Sequence, residues 1–164
     1  MILQILIYSS LGGNIDMNEA RTQNLDLSVV VVANLFNLMV VGLMLARVAH
    51  IDYDLGVPLI VMAVLLIAAS VFNITRKREK WFSILPLILA TYLLFEWCLD
   101  YLLKIEFRST WLLGPYLLLF YAGQMGMIGF SFLVKKGYGV VTLVTYFLSL
   151  AATAYSYVNV GHGL

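Results

Sequence analysis

The chain has 164 residues, 62% of them hydrophobic and 12% charged, where soluble domains carry about 45–50% and 25%. With one cysteine, 13% aromatics and a formal net charge of +1, this composition excludes a disordered chain, a disulfide scaffold and a nucleic-acid binder. It makes hydrocarbon the expected solvent.

In chain order, residues 1–26 are expected to form a cytoplasmic or interfacial segment. Its apolar run, 2–8, is too short to span a bilayer and no basic residue precedes it, so it does not read as a signal peptide. Ser9-Ser10 and Gly12-Gly13 read as a turn. A natural start at Met17 is the competing reading of this segment.

Crossing ~30 Å of hydrocarbon takes ~20 apolar residues in a helix. Five runs of that kind follow, at 27–46, 55–75, 82–103, 110–134 and 138–158, and residues 159–164 form a short tail outside. Stretches such as 57–69 are apolar at every position, which points to helices and away from the alternating strands of a barrel. The expected fold is therefore all-α, a polytopic bundle of five transmembrane helices. Pro58, Pro86 and Pro115 fall near the starts of runs, where a missing amide costs least. No internal repeat is visible.

Lys and Arg set the expected orientation. Arg21, Arg76, Lys77, Arg78, Lys80, Lys135 and Lys136 fall on one side, and Arg47, Lys104 and Arg108 on the other. The positive-inside rule places the amino terminus in the cytoplasm and the carboxyl terminus outside a cell membrane. Trp81 and Tyr138 at one boundary, with Tyr101, Trp111, Tyr155 and Tyr157 at the other, suit interfacial anchors.

The most informative residue is Glu96, ~21 Å along the third helix from Phe82 at the α-helical rise. A carboxyl at that depth must be neutral, paired or facing water. Tyr92, Glu96, Asp100, Lys104 and Arg108 follow at four-residue steps, giving one helical stripe that turns from acidic to basic as it emerges. Asn34 and Asn37 lie in the middle of the first run and Gln124 in the middle of the fourth. Thr142, Thr145, Ser149, Thr153 and Ser156 give the last run one hydroxylated face. The glycines beside Gln124 (Gly123, Gly126, Gly129), and the spacing of Ala122 to Gly126 and Ser149 to Thr153, read as helix-packing contacts. Cys98 reads as a small packing hydrophobe. Arg47, His50, Asp52 and Asp54 in one connector, and Asn159 and His162 in the tail, are too sparse to specify a metal site.

Three functional classes remain. The first is transport or conduction of a small solute, cation or proton through an outward-facing cavity lined by Glu96, Asp100, Gln124, Asn34, Asn37, Tyr121, Ser149 and Arg108. A second is an enzyme or binder for a lipid or isoprenoid head group at the outer leaflet. There Glu96 or Asp100 would act as acid or base, Lys104 and Arg108 would hold an anion, and Trp97, Trp111, Tyr116 and Tyr121 would wall the apolar part. The third is a non-catalytic subunit of a larger membrane complex or a homo-oligomer. No cofactor and no catalytic motif is expected: the chain has no His-rich box, G-x-S-x-G, Walker motif or C-x-x-C.

Overall fold

A computed structural model describes the backbone of residues 2–51, 54–104, 107 and 110–160, with side chains from residue 19 onward. The described elements are α1 (Ile2–Val48), α2 (Gly56–Thr75), α3 (Trp81–Trp97), α4 (Leu113–Val134) and α5 (Lys136–Val160), and one π-helical turn, Cys98–Leu102, prolongs α3. Five stretches, Glu19–Val48, Gly56–Thr75, Trp81–Leu102, Leu113–Val134 and Lys136–Val160, are long and apolar enough to cross a membrane. Helix α1 continues without a break across residue 26. The turn expected at residues 9–13 is helix instead; a glycine inside a helix costs only about 1 kcal/mol, and the pairing of successive amides outweighs it.

The helices pack in a ring that follows chain order and closes where α5 meets α1. The most extensive contacts run from α2 to α3, α3 to α4, α4 to α5 and α5 to α1, with smaller ones from α1 to α2 and α4. Helices α3 and α4 form an antiparallel seam. From Phe82 through Leu85, Leu89 and Tyr92 to Glu96, α3 meets Phe130, Gly126, Gly123, Phe120 and Tyr116 in turn on α4. A Cβ built on Gly123 would lie 3.2 Å from the Leu89 Cα, so the glycine lets the two backbones approach closely. In contrast α1 and α5 are parallel: Asn34 reaches Thr142 and Asn37 reaches Thr145, the same offset at both steps. The centre of the ring is apolar, with Phe36, Leu66, Leu89, Leu93 and Phe130 fully enclosed. The outside is apolar too. Leu27, Val31, Leu35, Leu38 and Leu45 make one exposed stripe on α1, a surface that water would not tolerate over that extent.

At the end of the bundle that holds the α2–α3 turn, a polar node forms for a covalent reason. Pro86 is near the start of α3, as the sequence reading had it, but inside the helix beyond its first turn, where the missing amide has a cost. It has no amide hydrogen, so the carbonyl of Phe82, four residues earlier, loses its helical donor. The Asn73 Nδ2 donates to that carbonyl at 2.9 Å. The Oδ1 of Asn73 accepts from Arg78 Nη1 at 2.8 Å, and Arg78 gives Nη1 and Nη2 to the two carboxylate oxygens of Asp26 at 2.6 and 2.9 Å. The guanidinium also stands 4.0 Å from the centre of the Phe82 ring, a favourable cation–π geometry. Arg78 is aimed by the end of α2, where the Lys77 amide donates to the Ile74 carbonyl and the Arg78 amide to the Asn73 carbonyl. Lys77 carries the left-handed backbone (φ 50°) that this cap requires.

The node ties α1, α2 and α3 together, and its parts depend on one another. Asn73→Leu is expected to cost ~1–3 kcal/mol, the penalty of stranding buried polar groups. In a Pro86→Ala background the restored amide takes over the Phe82 carbonyl, and the cost of Asn73→Leu should shrink by about 1 kcal/mol. A double-mutant cycle of reversible unfolding in detergent measures this, and strictly additive effects would contradict it.

Candidate functional site

The site is built where the α3–α4 seam nears the π turn. Glu96, half-buried, is the last step of the seam, and the Tyr116 hydroxyl donates to its Oε1 at 3.2 Å. Tyr116 and Tyr92 are both buried, with their hydroxyl oxygens 2.9 Å apart. Since the one proton of Tyr116 goes to Glu96, Tyr92 donates to Tyr116, and a complete donor order runs Tyr92 to Tyr116 to Glu96. The Glu96 carboxyl also stands close to the Tyr92 hydroxyl, so the three oxygens cluster. Their rings are fixed from several sides: Phe107 packs 4.8 Å from Tyr116, and Phe36 and Phe120 stand edge-on to Tyr92 at 5.9 and 5.3 Å. Each such aromatic pair adds ~0.5–1.5 kcal/mol beyond its buried area.

Beside the phenols lies a cavity of about 50 Å³ bounded by Val40, Tyr92, Tyr116, Leu117, Phe120, Tyr121, Leu150 and Thr153. At ~10–15 Å³ each it has room for about three to five waters. Its polar edges are the hydroxyls of Tyr92, Tyr116, Tyr121 and Thr153, drawn from three different helices.

The other expected residues distribute themselves differently. The four-residue stripe through Asp100, Lys104 and Arg108 is not continuous. An amide bond from Leu103 back to the Cys98 carbonyl closes a π turn, which shifts the face after Trp97. Lys104 then takes a left-handed φ of 51° and ends the helix. Asp100 sits half-buried in the π turn, outside the cavity lining, and Arg108 lies outside the described residues. The π turn brings the Tyr101 hydroxyl to the start of α2, where it accepts from the Leu55 amide at 2.8 Å. Asn34 and Asn37 belong to a separate α1–α5 cluster. Asn34 Nδ2 donates to Thr142 Oγ1, Thr145 Oγ1 to Asn34 Oδ1 at 2.8 Å, Asn37 Nδ2 to Thr145 Oγ1, and Thr142 Oγ1 onward to Ser131 Oγ. Gln124 is buried, and among the described residues neither its Nε2 nor the Oδ1 of Asn37 has a hydrogen-bond partner; Ser149 donates to the Tyr146 carbonyl in its own helix. Of the expected aromatic wall, Tyr116 and Tyr121 line the cavity, whereas Trp111 is 80% exposed and faces away. In the α1–α2 connector, Asp54 accepts from the Gly56 amide and His50 is exposed; Asp52 and His162 lie outside the described residues.

No protein-family model, curated protein or solved structure matches the chain.

Tyr116 is the middle member of the chain of donors. Tyr116→Phe removes the bond from Tyr92 and the bond to Glu96, an expected loss of ~1–3 kcal/mol. Tyr92→Phe leaves the bond between Tyr116 and Glu96 intact and should cost less. Unfolding of the two variants in detergent checks the order, and an equal or reversed ranking would contradict it.

Proposed function

We propose that the chain is a five-span protein of the cell membrane that passes a proton or a small cation, with Glu96, Tyr116 and Tyr92 as the exchanging group. The observation that carries this reading is a carboxyl tied through two buried phenols to a cavity with room for about three to five waters. That size favours a proton, a water or a bare cation over a lipid head group. Carboxylates deep in apolar bundles are costly and are retained where they handle charge. Phenols and carboxyls both donate and accept, so a proton taken up by Glu96 can be exchanged against a shift in donor order, with the Tyr121 and Thr153 hydroxyls as the next oxygens around the cavity. The orientation that suits the charges has the α2–α3 and α4–α5 turns in the cytoplasm, where Arg76, Lys77, Arg78, Lys80, Lys135 and Lys136 gather. Glu96 then lies toward the outer side.

Proteoliposomes loaded with a pH-sensitive dye test the transport reading. An imposed gradient is expected to dissipate faster with native protein than with empty vesicles. Glu96→Gln should abolish the difference and Tyr116→Phe should slow it about tenfold, the equivalent of ~1.4 kcal/mol. Equal rates for native protein and Glu96→Gln, under proton, sodium and potassium gradients alike, would overturn the reading and leave the polar groups to helix packing. Orientation is tested separately. In a Cys98→Ser background, an impermeant maleimide added to intact cells should label Tyr157→Cys and spare Lys136→Cys.

A further inference from the structure

A second concave surface lies at the α2–α3 turn, distinct from the Glu96 site. It is a groove of about 260 Å³ lined by Ile74 from the end of α2, Arg78 and Lys80 from the turn, and Ser83, Ile84 and Leu87 from α3. Its polarity is graded along its length. Lys80, Ser83, Ile84 and Leu87 recur at three- and four-residue steps, so they descend one face of the helix over ~10 Å. At the upper end, the charge of Arg78 is answered by Asp26. Lys80 is exposed and, among the described residues, forms no ion pair. Ile84 and Leu87 lower on α3, with Ile74 beside the turn, are large, exposed and apolar. A cation above and an open hydrocarbon wall below match an amphiphile with an anionic head and a long chain.

We infer that this groove is a binding site for an anionic phospholipid, its phosphate against the Lys80 ammonium and an acyl chain along Ile74, Ile84 and Leu87. The lipid's net charge decides the preference. A phosphatidylcholine can use the apolar wall but offers no net charge to Lys80, while phosphatidylglycerol uses both ends. Inorganic phosphate has nothing to place on the three apolar side chains. The inference rests on the membrane reading but not on the role of Glu96.

Reconstitution in vesicles of equal parts phosphatidylglycerol and phosphatidylcholine, followed by detergent release and native mass spectrometry, reads the retained lipid directly. One phosphatidylglycerol per chain is expected. Lys80→Glu should lower its retention about tenfold, since one basic residue near an anionic surface is worth ~1 kcal/mol and reversal adds repulsion. Leu87→Trp, which fills the lower end, should lower it comparably. Lys136→Glu, basic but outside the groove, should leave retention at the native level, as should Glu96→Gln whatever it does to flux. Native retention in Lys80→Glu or Leu87→Trp would overturn the inference. So would equal loss in Lys136→Glu, which would mark a diffuse charge effect, or displacement of the lipid by excess inorganic phosphate.

Discussion

Proline at position 86 removes an amide from the interior of α3, and the carbonyl of Phe82 is left without its helical donor. Its replacement partner comes from another helix. Asn73 supplies it, Arg78 orients Asn73, and Asp26 balances Arg78. An apolar bundle has few directional contacts with which to set the rotation of one helix against another. Here one unmet backbone acceptor fixes three: α2 through Asn73, α1 through Asp26, and α3 through the carbonyl itself. The Phe82 ring, held under the guanidinium, also begins the seam with α4 through its contact with Phe130 at 5.5 Å. The register that ends with Glu96 against Tyr116 is thereby set from the far end of the same helix.

The two ends of α3 answer the same problem with different chemistry. Near the proline, a full ionic pair is partly open to solvent, with side-chain exposures of 19% for Arg78 and 9% for Asp26. Near the π turn, the groups that meet are a carboxyl and two phenols, all able to exchange protons. A fixed charge pair anchors; a set of oxygens that can redistribute protons adapts. The glycine at 123 stands between them and keeps α3 and α4 close along the seam that leads to Glu96.

Much of this was legible in the sequence, for definite reasons. Apolar windows of about twenty residues reveal spans without any tertiary information, and Glu96 stood out because a carboxyl among apolar neighbours is rare. Asn34, Asn37, Thr142 and Thr145 were visible as polar positions on helical faces, although nothing local shows that α1 and α5 lie side by side. The node was hidden. Asp26 and Arg78 are 52 residues apart, each reads as an ordinary boundary charge, and only Pro86 gave a signal: an orphaned carbonyl four residues before it, in search of a donor. The π turn left no trace in the spacing, so extending a four-residue stripe past Trp97 placed Lys104 and Arg108 on a face that the backbone does not continue. Tyr116 was readable as an aromatic wall, but its pairing with Glu96 depends on the antiparallel register.

The parallel pairing of α1 with α5 has a consequence for the order of assembly. The interhelical partners of Asn34 and Asn37 lie 108 residues further along the chain, so those bonds wait for α5 to be made, although Asn34 also bonds the Val30 carbonyl of its own helix. Neighbouring helices can form the α2–α3 and α3–α4 hairpins as they appear, and Asp26 can join α1 to the first of them, but the ring closes only when α5 docks. Of the five helices, α5 is the clasp.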